Sequence, residues 1–425
     1  MTQSAESAQP SQAESDWPAS VRLLFKFLLI YLVLYVFPMQ LLFQDLIIWF
    51  GHTVLGVEGS VPTNMTGSGD MTINWLTFAF NLVVATIGTL VWTAIDRNKF
   101  TYPKTADLFY ILARYYLAVT LLSYGLVKVF PLQFSEPSLI LLTQEYGDSS
   151  PMGLAWTFLG FSTGYQIFGG LSELLAALLL FFRKTTLLGA LVAVGVMTNV
   201  FMINMFFDVP VKLLSAHLLL IAAGIAALNA KPMWDFFVMG RRTMKNSYPL
   251  PIKDREWRII AYTAQFIVIV GLIGSSVYAN GGRYFSQPDP PEIAGVYEVL
   301  DFELGGETIS PLKTHKKRWD RVVIDNKRPG LMAIDYMTGH RVRFRAELSA
   351  DVDSITAKVP INPSLPPPAG TQLDAVWSYT SNKELELRGT LGTDSLIVRM
   401  EKRSMDDILL ISRGFNWVNE YPFNR

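Results

Sequence analysis

The sequence predicts a mainly α-helical membrane protein: a bundle of about seven transmembrane helices, followed by a small all-β domain outside the membrane. Three observations lead there. Seven apolar runs of about 20 residues or more occupy the first two-thirds of the chain, each long enough to cross ~30 Å of hydrocarbon at 1.5 Å per residue. Lys and Arg gather in alternate loops. Beyond Gly281 the pattern changes to short alternating stretches separated by Gly, Pro, Asn and Asp, which is the pattern of a barrel or sandwich.

Residues 1–20 are rich in Ser, Gln, Ala and Glu and read as a disordered cytoplasmic lead. They carry no basic n-region, and no small-x-small cleavage site follows. The first apolar run is therefore expected to stay as a span. Residues 21–106 hold two spans, Arg22–Leu42 and Trp75–Ile95, joined by an external loop. In that loop Ile47–Val57 suits a short interfacial helix and Thr66–Asp70 a tight turn. Residues 107–230 hold four spans, Asp107–Val129, Gly153–Phe182, Thr185–Phe207 and Pro210–Asn229. The loop 130–152 is external, and its apolar Leu139–Leu142 is expected to dip toward the membrane. Gly160, Gly164, Gly169 and Gly170 suit close helix packing. Residues 231–282 give a basic loop and the seventh span, Trp257–Asn280. Trp49, Trp75, Trp92, Trp156, Trp234 and Trp257 fall near span ends, as an interfacial belt would place them.

Charge sets the orientation. One set of flanks holds Arg22, Lys26, Arg97, Lys99, Lys104, Arg183, Lys184 and Lys231, then Arg241, Arg242, Lys245, Lys253, Arg255 and Arg258. The opposite loops, about 44–74, 130–152 and 208–209, hold none. The positive-inside rule then puts the N-terminus in the cytoplasm and residues 283–425 on the external, periplasmic side. A linker around Pro288, Pro290 and Pro291 opens that last region. Nine strand-like stretches follow: Gly295–Leu304, Arg318–Asp325, Gly330–Tyr336, Arg341–Ala346, Ile355–Pro360, Asp374–Thr380, Glu384–Leu391, Ser395–Lys402 and Asp407–Ser412. The segment 361–370 reads as an extended loop, and Phe415–Arg425 as an aromatic tail packing onto the domain or the membrane surface.

Composition narrows the chemistry. Thirty-six basic and 36 acidic residues cancel, which argues against a nucleic-acid partner. There is no cysteine, so disulfides, thiol redox chemistry, iron–sulfur clusters and zinc–thiolate sites are excluded for this chain. Only His217 of four histidines lies in a span, so bis-His haem ligation is not available. No metal site, nucleophile triad or phosphate-binding motif stands out.

Charges within spans need partners. Arg114 and Glu173 each lie about two turns from a cytoplasmic end, which suggests a structural ion pair between them. A second group lies toward the external side: Tyr124 and Lys128 in the third span, Asn199, Asn204 and Asp208 in the fifth, Lys212 and His217 in the sixth. Two readings stay open for it. The side chains tie helices together, or they line a lateral pocket for a lipid-soluble head group. In the second reading His217, Tyr124, Asn199 and Asn204 would donate to quinone carbonyls, and Lys128 would stabilise an anionic reduced form.

Arg114, the run Tyr124-Gly125-Leu126-Val127-Lys128 and Glu173 carry a resemblance. On these, residues 107–230 resemble the DoxX-like family of four-helix bacterial membrane proteins. The stretches RYYLAVTLLSYGLVKVFPLQF, YGDSSPMGLAWTFLG, DVPVKLL and SRGFNWVNEYPFNR resemble a larger bacterial subgroup with a C-terminal extramembrane domain. Relatives include subunits of membrane oxidoreductases such as a thiosulfate:quinone oxidoreductase. Others accompany methylamine dehydrogenase maturation. The resemblance implies the bacterial inner membrane and quinone or redox-partner work. Gly295-Val296-Tyr297 and Ser412-Arg413-Gly414 are similar to lipocalin-like barrels, whose cup would hold a lipid; a β-sandwich fits the pattern as well. The alternative function is a non-enzymatic scaffold or assembly factor whose external β domain binds another envelope protein.

Overall fold

The computed structural model describes residues 17–424 except 38, 65, 98–100, 243–253, 329, 350–353, 361–372 and 382. Most of the lead, Lys99, Lys245, Lys253 and the loop 361–370 lie outside the described residues. In chain order the helices are α1 (Ala19–Val36), α2 (Met39–Thr53), α3 (Thr72–Ile95), α4 (Pro103–Val129), α5 (Leu139–Leu142), α6 (Pro151–Phe161), α7 (Thr163–Phe181), α8 (Thr186–Phe206), α9 (Lys212–Ala227), α10 (Ala230–Phe237), α11 (Arg255–Phe285) and α12 (Leu409–Ser412). Two compact units result, residues 1–133 with 164–282, and 134–163 with 283–425.

In the first unit, six of the described helices are long and apolar enough to cross a membrane, or seven if α9 and α10, bent by 69°, form one span. Their outward faces stay apolar: Leu90, Phe168 and Phe266 are each more than 60% exposed. Water would penalise such a surface, and lipid would not. Two span readings need correction. The first span stops at Val36, not Leu42, because Phe37 turns extended (ψ 142°) ahead of Pro38, as a residue before proline must. The chain resumes as α2, which breaks at Phe43 (φ -130°, ψ 27°), and its later part supplies most of the short helix expected at Ile47–Val57, ending at Thr53. The run Gly153–Phe182 is broken at Ser162, whose backbone is extended, and only α7 is a candidate span. α6 belongs to the second unit, where Gly160 lies against the Ser135 backbone and Trp156 meets Phe134 edge-to-face at 5.0 Å.

α4, α7, α8 and α9 share a buried core of Leu117, Leu121, Ala176, Leu180, Ala193 and Ala222, and α11 adds Ile269. Gly170 permits the closest approach. A Cβ there would lie 2.7 Å from the Gly125 carbonyl and 2.8 Å from Lys128 Cβ. Gly164 and Gly169, expected in the same role, face open space. The α8–α9 hairpin turns at Asp208, which takes the left-handed conformation (φ 52°) that Asp tolerates better than most residues.

The second unit is built on nine described strands: β1 (Gly295–Leu304), β2 (Glu307–Thr308), β3 (Trp319–Ile324), β4 (Leu331–Tyr336), β5 (Arg341–Ser349), β6 (Ser354–Pro360), β7 (Leu373–Tyr379), β8 (Glu384–Leu391) and β9 (Asp394–Lys402). All pairings are antiparallel between neighbours, and β9 returns to pair with β1. The ladder therefore closes as a barrel rather than a sandwich, with no free edge between β1 and β9. Its inner face packs Tyr297, Phe302, Trp319, Met332, Phe344 and Trp377 into one cluster. Buried Arg318 donates to the carbonyls of Ile309, Trp319 and Leu300.

The stretch Asp407–Ser412 is not a strand. It forms the end of a 3-10 turn and the short α12, because closure between β1 and β9 leaves no edge there to receive it. The aromatic tail does not pack onto the domain: Phe415, Trp417 and Tyr421 are 77%, 91% and 84% exposed. Leu139–Leu142 does find a partner within this unit. Leu139 and Ile140 pack on Val296, Val323 and Ala333, the outer face of β1, β3 and β4. Arg341 holds α5 there, donating to the Ile140 and Thr143 carbonyls at 2.9 Å while pairing with Asp335.

Candidate functional site

α4 and α7 run antiparallel, in a register set by Gly125 against Gly170. Helical side chains lean toward their own N-terminus. Lys128 and Glu173 therefore lean toward one another across the glycine contact. They meet with Nζ 2.8 and 2.9 Å from the two carboxylate oxygens, side chains 11% and 3% exposed. The expected Arg114–Glu173 pair does not form. Arg114 lies eleven residues before Gly125, level with Phe181 at the far end of α7. Its Nη1 donates to Thr186 Oγ1 at 3.3 Å, and its guanidinium lies 4.9 Å from the Tyr115 ring. Nε is buried without a partner among the described residues.

His217 stands one turn into α9. Its Nδ1 lies 2.6 Å from the Leu213 carbonyl, which can only accept, so that nitrogen carries the hydrogen. Nε2 is then the acceptor, and the Tyr31 hydroxyl donates to it at 2.5 Å. The imidazole stacks on Tyr35 at 4.0 Å, with Phe78 edge-on at 5.9 Å. Tyr31 and Tyr35, spaced i, i+4 on α1, share one helix face. Tyr35 meets Tyr116 edge-to-face at 6.0 Å. Two turns further along α4, the Tyr124 ring lies 5.7 Å from Lys128 Nζ. α4 thus carries Tyr116 beside the His217 cluster and Tyr124 beside the Lys128–Glu173 pair.

Asn204 and Asn199 fall outside both groups. Asn204 donates to Ser215 Oγ at 2.9 Å and so pins α8 to α9. Asn199 is on an exposed face of α8. Asp70, not singled out from sequence, caps α9: its carboxylate accepts from the Lys212 and Leu213 amides at 2.7 and 3.0 Å. Lys212 also pairs with Asp208 at 2.9 Å. Of the predicted residues, Tyr124, Lys128 and Glu173 come together, and His217 stands in a separate cluster with Tyr31, Tyr35 and Phe78. Tyr31, Tyr35 and Tyr116 were missed. The i, i+4 tyrosines on α1 were a visible signal, but nothing in the sequence ties α1 to α9.

The fold and these clusters define a multi-helix membrane protein with polar groups inside its helical unit and a separate antiparallel barrel unit. No family model matches the chain, and no solved structure matches it. The uncharacterized protein YwoB of Bacillus subtilis (strain 168) is 33% identical over 138 residues, covering 86% of that protein and 31% of this chain. The chain belongs to the family of that protein.

Proposed function

We propose that this is a DoxX-like multi-pass protein of the bacterial cytoplasmic membrane that binds the head group of a quinone-like lipid, as a component associated with a redox partner. The N-terminus is cytoplasmic and the barrel unit external in this reading, from the segregation of Lys and Arg. The observation that carries it is the Tyr31–His217 hydrogen bond, caged by Tyr35 and Phe78. Tyr31 is a donor that can turn from His217 to a quinone carbonyl. Tyr35 and Phe78 offer ring faces for a planar head group. Lys128 is neutralised by Glu173, so the pair is assigned to positioning α4 against α7, not to direct recognition.

The test is mass spectrometry of lipids co-purified with the full-length protein in nanodiscs. About one quinone per protein is expected, falling at least tenfold in Tyr31→Phe and His217→Leu at normal membrane abundance. Phospholipid alone, or equal quinone in all three proteins, refutes the reading. One observation favours the scaffold alternative: Trp417 and Tyr421 stand exposed beside the barrel, as a protein-docking segment would. Crosslinking at Trp417 to a single envelope protein, with no quinone bound, would support that reading.

A further inference from the structure

A second polar site lies where α1 begins and α3 ends, away from the His217 cluster and independent of it. A cavity of about 210 Å³ is lined there by Arg22, Lys26 and Arg97, by Thr93 and by a single carboxylate, Asp96. Three cations face one anion. Lys26 is 3% exposed and is held by Thr93 Oγ1 at 3.3 Å and by the Trp92 and Tyr102 rings at 5.5 and 5.4 Å. Neither Lys26 nor Arg97 forms an ion pair with any described residue. The one carboxylate is already engaged, since Tyr102 donates to Asp96 Oδ2 at 2.8 Å. Burial and that bond push the Tyr102 phenol up to about 12, so it remains a donor at neutral pH.

Asp96 acts on Lys26 only from beyond ion-pair distance, and a buried ammonium without a close counter-ion is costly. A phosphate oxygen supplies what this one lacks, and arginines on either side offer the planar donors that phosphate favours. The cavity volume is enough for a phosphate ester and too small for a macromolecule. The position agrees. Arg22 is in the first turn of α1 and Arg97 just follows α3, the level at which head groups meet a span. Leu23, 42% exposed on the rim, offers an apolar flank for the adjoining acyl region.

We infer that this cavity is a phosphate-ester site, fitted to the head group of an anionic membrane lipid. The test is native mass spectrometry of the full-length protein from detergent with added phosphatidylglycerol or phosphatidylcholine. A parallel thermal-shift series uses inorganic phosphate and glycerol phosphate. Wild type is expected to retain phosphatidylglycerol about tenfold over phosphatidylcholine. The preference should vanish in the Lys26→Gln/Arg97→Gln variant and persist in Arg241→Gln/Arg242→Gln, which removes equal charge elsewhere. Arg97→Gln alone, at an exposed position, covers the case in which the double variant does not fold, and should lower the preference at least threefold. A shift with soluble phosphates that is lost in the variants, without lipid preference, would keep the phosphate site and assign it a soluble ester. Equal lipid retention and equal shifts in all proteins would overturn the inference.

Discussion

Removing one partner of the Lys128–Glu173 pair tests the helix register directly. The ions are 2.8 Å apart and nearly inaccessible. At an effective dielectric of 20 their attraction is about 6 kcal/mol, largely offset by desolvation. Truncating one leaves the other buried and unpaired, at a cost of about 3–5 kcal/mol. Lys128→Met and Glu173→Leu should each lower the unfolding midpoint in detergent by roughly 10 °C, at about 2–4 °C per kcal/mol. The double variant should lose far less than the sum, with a coupling of about 3 kcal/mol, and the exchanged pair Lys128→Glu/Glu173→Lys should recover much of the stability. Thermal unfolding of the four variants against wild type measures this. Additive single effects would refute the pairing. So would coupling of Glu173 to Arg114→Met, which should be independent.

Gly170→Leu should cost about 1–3 kcal/mol by overpacking, because its Cβ would press on Gly125 and Lys128; a midpoint equal to wild type would show that the helices are farther apart. Arg341→Lys should loosen α5 by about 2 kcal/mol, since three donors on one nitrogen cannot replace the bonds that the guanidinium spreads over three nitrogens to Ile140, Thr143 and Asp335; hydrogen exchange at 139–143 should rise, and unchanged protection would refute the clamp. Alkali should unfold the barrel. Burial raises the phenols of Tyr297 and Tyr336 above their ordinary value, so above about pH 10 the unfolded chain loses protons that the folded one keeps. Stability is full below pH 10 and falls with rising pH by up to about 1.4 kcal/mol per unit for each tyrosine. In Tyr297→Phe that slope should halve.

Much of the architecture was legible because it rests on local signals. Apolar runs of spanning length need only composition, and β1 and β8 end where their flanking turn residues stop the alternation. The misreadings have physical causes of the same kind. Continuous apolarity hid the break at Ser162, because a run of Gly, Leu and Phe reads alike in one helix or two. Ile408–Ile411 has strand composition, but a strand needs an edge, and β9 had already paired with β1. Leu139–Leu142 is apolar for either a membrane or a protein surface, and only the outward-facing Val296, Val323 and Ala333 side of the strands, which α5 buries, decided between them.

The candidate site divides in the same way. The cost of burying a carboxylate made a partner for Glu173 an expectation the sequence could supply, and it pointed to Arg114. By itself the sequence determined that His217 is the one histidine within a span, and that charge segregates between loops. Which cation answers Glu173 was decided by the tertiary structure. The glycine contact fixes the register of α4 on α7, and the lean of helical side chains then selects Lys128 over Arg114. Tyr31 and His217 lie 186 residues apart. Their meeting depends on how α1 packs, a long-range arrangement that no local pattern of residues encodes.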